Sequence, residues 1–177
     1  MVARRNLKTA HEEAVLQHFK THLEQHGIRL EILNRPDPPE AIVEVNGART
    51  WIEITDAFLD KKHAISVTSG ACDDVKHMRD DRRLVVEPDN TFSSALYSVI
   101  EAKYDKASMQ KIAETKGPGV LLVGVFTPFT NSAEVVRTEA RSITELVLSK
   151  PNKVFNTIYV YDGYGQRQFH VLYHHEA

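Results

Sequence analysis

The sequence is short of the residues that staple, anchor or loosen a chain. Cys72 is the single cysteine among 177 residues, so no intrachain disulfide forms and a stapled secreted domain is not expected. Eight glycines and seven prolines are too few for a collagenous or low-complexity chain, and no repeat is visible. The longest apolar run, Val120 to Phe126, is interrupted by Gly124 and falls far below the ~18 residues of a membrane span. Met1-Val-Ala-Arg-Arg-Asn passes into a charged helical pattern with no apolar stretch behind it, so no signal peptide is expected. An excess of either charge is missing too: 22 Lys plus Arg against 24 Asp plus Glu leave a formal charge of -2. That total does not announce a nucleic-acid binder, yet a basic face around an acidic pocket gives the same sum. A cytoplasmic protein with no membrane partner is the expectation.

What is present is ordinary globular material. A 42% hydrophobic and 26% charged chain of this length argues against disorder and for one domain, 1–177. Residues 9–26 read as a helix: Thr9-Ala-His-Glu12 has a capping-box pattern, Val15, Leu16, Phe19 and Leu23 recur at helical spacing, and Gly27 suits the C′ position. Residues 28–33 alternate as a strand, and the prolines at 36, 38 and 39 exclude a regular element there. Glu40 to Val45 and Ala48 to Thr55 form a hairpin about an Asn46-Gly47 type I′ turn. Residues 56–90 are polar and weakly periodic, and read as a charged excursion with a short helix near 70–79. A long helix follows at about 92–115. Then come the strand 120–126, a helix opened by the capping box Asn131-Ser-Ala-Glu134, and two final strands at 155–161 and 168–173. The order α-β-β-β-(excursion)-α-β-α-β-β predicts an α/β fold with a mixed central sheet flanked by helices.

The hairpin carries the first functional hint. Counting outward from Asn46-Gly47, Val45 faces Ala48, Glu44 faces Arg49 and Glu40 faces Glu53. Residues opposite on one face have Cβ atoms about 4.5 to 5.5 Å apart, so the two carboxylates repel and call for a compensator. A divalent cation with oxygen ligands, Mg²⁺, is the natural one. Trp51, Glu53 and Thr55 point one way, while Ile52 and Ile54 point to the core. The other reading is an ordinary solvated sheet face with Glu40 fraying beside the prolines.

Pro36-Asp37, Glu40 before an apolar strand, and Trp51-Ile-Glu53-Ile-Thr55 after a hairpin resemble the signature of the PD-(D/E)XK superfamily of restriction-endonuclease-like phosphodiesterases. The element order of residues 9–126 is similar to that family's core. The resemblance implies that Glu53 is the second acidic ligand, with the Ile54 carbonyl as a further one. Glu40 or Asp37 is then the first acid; Glu40 is favoured, with Asp37 as an outer partner. A first-helix acid assists. Glu12 is engaged in its own cap in this reading, which favours Glu13. Thr55 departs from the pattern, standing where a lysine orients the attacking water, and a hydroxyl cannot supply that charge. Some family members carry the lysine on the following helix. Lys103, inside the stripe Leu96, Ile100, Ala107, is the candidate here, with Lys106 behind it and Tyr104 as a hydrogen-bond partner. A lysine so placed either snorkels outward or reaches a buried anion.

The implied activity is Mg²⁺-dependent hydrolysis of phosphodiester bonds, with Mn²⁺ able to substitute and DNA preferred over RNA as substrate. The competing reading is a nuclease-fold module that has lost catalysis and binds nucleic acid or a protein. A structural subunit of a larger assembly is a third. No zinc motif, nucleophile elbow or nucleotide-binding loop is present. Arg79, Arg82, Arg83 and Lys76 line a backbone-binding groove or pair with neighbouring aspartates. Tyr159, Tyr161, Tyr164 and Tyr173 serve sheet packing, base stacking or a homodimer through the C-terminal strands.

Overall fold

The computed structural model describes residues 4–59 and 88–175. Helix α1 (Arg4–Gln25) buries Val15, Leu16, Phe19 and Leu23 along one stripe. It starts earlier than the capping-box pattern suggested, because nothing between Arg4 and Lys8 breaks a helix. Thr9 and Glu12 therefore lie inside it, and Glu12 is free of any capping duty. Gly27, at φ 74°, closes the helix, with the Gly27 and Ile28 N–H groups donating to the Glu24 and Leu23 carbonyls at 3.0 and 2.9 Å.

Strands β1 (Leu30–Asn34), β2 (Ala41–Val45) and β3 (Ala48–Phe58) follow. Asn46 and Gly47 take φ 47° and 86°, as a type I′ turn requires, and the pairs Val45–Ala48 and Glu44–Arg49 form in the expected register. The Asn46 side chain also accepts from the Arg29 N–H at 2.9 Å, tying β1 to the hairpin.

Helices α2 (Pro88–Asp105) and α3 (Ala107–Lys116) replace the single helix read over 92–115. The chain breaks at Lys106, which is extended with ψ 116°. The buried stripe consequently runs Leu96, Ile100, Tyr104 and Met109, while Ala107 is exposed. Strand β4 (Gly119–Phe126), helix α4 (Ser132–Ser149) and strands β5 (Phe155–Asp162) and β6 (Phe169–His174) complete the order. The Asn131 side chain caps α4 by accepting from the Glu134 N–H at 2.9 Å.

One six-stranded sheet runs β1-β2-β3-β4-β5-β6, parallel at β3–β4–β5 and antiparallel at both ends. Trp51, Leu96, Ile100 and Ile143 belong to the core under α2, α3 and α4; Leu16, Ile52, Ile54 and Leu122 belong to the core under α1. The result is an α/β topology with a mixed central sheet flanked by helices, in the expected element order. Two expectations need correction. β3 is covered on both faces, because pairing with β4 makes it a central strand: Trp51 is fully buried and its indole N–H donates to the Gly117 carbonyl at 2.8 Å. The excursion also begins later, since β3 continues to Phe58 and both Ala57 and Leu59 are buried. It also ends earlier, since Pro88 to Asn90 belong to α2, and residues 60–87 lie outside the described residues, with the helix near 70–79, Cys72 and the cluster Lys76, Arg79, Arg82, Arg83. Among the described residues, no helix is long and apolar enough to cross a membrane.

The tyrosines are not a free stacking strip. Tyr161 is fully buried, Tyr173 is 6% exposed, and Tyr159 packs edge-on against Phe19 at 4.9 Å. β5 lies inside the sheet and under α1, which uses its aromatic face. Tyr164, in the β5–β6 turn, is 45% exposed.

Candidate active site: a buried carboxylate pocket

Glu53 sits in the middle of β3 and is 2% exposed. Lys103, from α2, donates to its Oε1 at 2.5 Å. Leu96, Ile100 and Tyr104 press α2 onto the sheet, which holds the ammonium over that oxygen. The second oxygen, Oε2, is buried and has no hydrogen-bond partner among the described residues. A buried carboxylate without its cation is costly, and losing one partner of such a pair typically costs about 3–5 kcal/mol.

Glu40, 5% exposed, immediately precedes β2; continuing the register outward from Ala41–Ile52 sets it across from Glu53. Glu12, 7% exposed, reaches the same place from α1 and hydrogen-bonds to the Glu40 carboxyl. Burial first, then the nearby Glu12 and Glu53 carboxylates, push the Glu40 carboxyl up to about 7, against the opposing pull of Lys8. Lys8 lies 3.1 Å from Glu12 and 3.8 Å from Glu40. Partial burial works against its charge, but Glu12, Glu40 and Asp37 hold its pKa above the ordinary value. Arg35 stands 3.8 Å from Glu12, and its Nε donates to the Glu40 backbone carbonyl at 3.4 Å.

Lys8, Glu12, Glu40, Glu53 and Lys103 share a cavity of about 360 Å³ with Asp37, Ile54, Thr55 and Lys106 in its lining. The structure thus brings Asp37, Glu40, Glu53, Ile54, Thr55 and Lys103 together. Glu13 is not among them: it is exposed on the outer face of α1, and Glu12 occupies the pocket, because the helix begins upstream and frees Glu12 from capping. Tyr104 is elsewhere as well. It is 1% exposed and its hydroxyl donates to the Phe155 carbonyl at 3.3 Å, on the core side of α2.

Sequence reasoning missed Lys8, Arg35 and a neighbouring unit of His11, Asp56 and Tyr161. His11 Nε2 is 3.0 Å from Asp56 Oδ2, and the Tyr161 hydroxyl donates to Asp56 Oδ1 at 2.6 Å. Burial, then Asp56, raise the Tyr161 phenol well above its usual value. Gly124 makes the room: a Cβ there would strike the Asp56 carboxylate, the Phe126 ring and the Tyr161 hydroxyl. The available signals were the i,i+4 pair Lys8–Glu12 and the placement of His11 beside Glu12.

Among the described residues, no group of three or more His, Cys, Asp or Glu side chains is positioned to hold a metal ion. Mg²⁺, however, is commonly held by only one or two carboxylates plus waters and substrate phosphate. The unpartnered Glu53 Oε2 beside Glu40 fits that smaller requirement. No protein-family model, curated protein or solved structure matches the chain.

Proposed function

We propose that the chain is a nuclease-like module that engages the phosphodiester backbone of nucleic acid at the carboxylate pocket, with binding rather than cleavage as its first activity. The observation that carries this reading is the closure of Lys103 on Glu53 within a cavity rimmed by Lys8 and Lys106. Lys103 holds Glu53 and Lys8 holds Glu12, and the ammoniums at the rim, Lys8 and Lys106, are the groups a phosphate meets. Lys8 is 61% exposed at its side chain, which leaves its remaining donors to solvent.

A second reading, Mg²⁺-dependent phosphodiester hydrolysis on DNA or RNA, is favoured by the bare Glu53 Oε2 and by the Glu40 carboxyl, which burial and then its acidic neighbours push up to about 7. Glu40, Glu53 and the Ile54 carbonyl would hold the cation, with Glu12 in the role expected of Glu13 and Asp37 as an outer partner. When bound, Mg²⁺ or Mn²⁺ supplies positive charge at the scissile phosphate. Lys103 is the chain's own cation for the extra negative charge of the transition state, and Thr55 offers a hydroxyl donor without charge.

The test measures binding and cleavage of labelled single- and double-stranded DNA and RNA, each with Mg²⁺, with Mn²⁺ and with chelator. Wild type, Lys8→Ala and Glu53→Gln are compared. Binding that survives chelator and weakens in Lys8→Ala, with no cleavage, supports the binding module. Metal-dependent cleavage lost in Glu53→Gln promotes the second reading. Neither binding nor cleavage on any substrate overturns both.

A further inference from the structure

The C-terminal half of α1 forms one wall of a second groove, of about 600 Å³, closed by the β5–β6 turn and by β6. Its polar lining is His18, Thr21, His22, Gln25, Arg167 and His170, with Gln166 and Gln168 at the turn, and no carboxylate lines it. Arg167 donates from Nη1 to His18 Nδ1 at 2.9 Å. A guanidinium only donates, so this ring nitrogen accepts and carries no proton. The contact orients Arg167 and leaves its charge uncompensated. Two buried nitrogens of the groove have no hydrogen-bond partner among the described residues: Arg167 Nε and His170 Nε2. A buried guanidinium N–H without an acceptor is costly to maintain, and an acceptor-rich ligand removes that cost. Lys20, the nearest lysine on the helix, lies 3.9 Å from Glu24, so the neighbouring carboxylate already has a cation.

The geometry points to a phosphate-binding site in this groove, with Arg167 as the charged donor and His18, His22 and His170 as the surrounding donors. The ligand is a tetrahedral oxyanion, whose several acceptor oxygens suit a fork of guanidinium and imidazole N–H groups. Burial, then His26 and His170, hold His22 below its ordinary pKa, so the ring is poised to gain a proton when an anion arrives. The phosphate has two sources of shared chemistry: the backbone of a nucleic acid, or a free phosphate or nucleotide. His18 follows His11 by two helical turns, roughly 10 Å along α1. His11 lines the carboxylate pocket and His18 this groove, so the two sites share one face of α1. The site itself does not require the nucleic-acid reading.

The experiment follows histidine ring resonances by NMR on the full chain while inorganic phosphate is added at constant ionic strength. Saturable shifts at His18, His22 and His170, with His175 unmoved and the His22 midpoint raised, are expected. Arg167→Gln should weaken the apparent affinity by about tenfold or more, the scale of one charge-assisted contact. Thr115→Ala, on the exposed face of α3 and outside the groove, controls for general damage and should leave the affinity unchanged. Absence of saturation, equal shifts with chloride, or undiminished affinity in a folded Arg167→Gln would overturn the site. A second arm adds a short single-stranded oligonucleotide: displacement of phosphate from the same three histidines assigns the backbone as source, and its failure to displace assigns the free anion. Because the readout is at His18, His22 and His170, it succeeds or fails independently of cleavage at Glu53.

Discussion

The two halves of α1 meet opposite electrostatic situations on one continuous helix. Toward its N-terminus Lys8 and Glu12 enter a cavity where buried acids outnumber what burial tolerates, and each acid is held by a cation or by a shared proton. Toward its C-terminus His18 and His22 line a groove with a guanidinium and no acid. Between them stand His11, Asp56 and Tyr161, whose hydrogen bonds run from α1 through β3 to β5. The lesson is that a formal charge of -2 hides two different local settings on one helix, an acid-rich pocket with lysines at its rim and a groove that offers a guanidinium and imidazoles.

The largest effect that would break this picture is at Lys103. Lys103→Met leaves Glu53 buried without its cation and should destabilise the fold by about 3 kcal/mol. Adding Glu53→Leu should recover most of that loss, since an apolar pair of similar volume fits the same space. Urea denaturation of the two single variants and the double variant gives the coupling directly. Additive losses would mean that Lys103 and Glu53 are independent neighbours.

The partition between the halves is tested at Gly124. Gly124→Ala places a Cβ against Asp56, Phe126 and the Tyr161 hydroxyl, and overpacking of this kind costs about 1–3 kcal/mol. The Asp56 and Tyr161 side chains are held by α1 and β5, so they cannot move aside cheaply. Tyr161→Phe in the same background should return part of the stability, because removing the hydroxyl opens the space. A neutral Gly124→Ala would show that the network is loose.

Acidity separates the halves next. The Glu40 carboxyl is near 7 in the folded chain, well above its unfolded value of 4.5. Between those two values the folded state binds more protons than the unfolded one, so without a cation stability falls as pH rises through this window. Below the window the acid is neutral in both states and the penalty vanishes; above it the penalty is complete. A loss of roughly 1–3 kcal/mol is expected across it. A cation that binds the ionised pair should flatten the slope, and Glu40→Gln should abolish it. Denaturation midpoints at several pH values, with and without Mg²⁺, are the measurement.

Much of this fold was legible. The type I′ turn at Asn46-Gly47 set the hairpin register, and with it the approach of Glu40 to Glu53, because a two-residue turn leaves no freedom to slip. The α4 cap at Asn131 was equally local. What was not legible depends on contacts distant in sequence. That β3 is buried on both faces follows from β4 pairing beside it, which no pattern within residues 48–58 announces. The break at Lys106 involves neither glycine nor proline, so tertiary packing of Tyr104 and Met109 decides it. Arg167 lies 149 residues from His18, and only the return of β5–β6 under α1 joins them.

The smallest expected effect is also the sharpest check on the choice between two adjacent acids. Glu12 and Glu13 differ by 100° around α1, which turns one into the pocket and the other to solvent. Glu13→Gln removes an exposed charge and should change stability by no more than about 0.5 kcal/mol, with nucleic-acid binding and the pH slope intact. Glu12→Gln acts through Glu40 instead. It removes a neighbouring carboxylate that raises the Glu40 carboxyl, leaving burial and Glu53 as the main causes, so the downward slope of stability should keep its onset, end at lower pH and give a smaller total loss. Lys8 loses its closest partner at the same time, and its released ammonium should bind phosphate more readily. The two variants therefore differ in direction as well as size. Equal, negligible effects in both would place the first-helix acid outside the working pocket, and a larger effect from Glu13→Gln would restore the capping assignment of Glu12 that the early start of α1 removes.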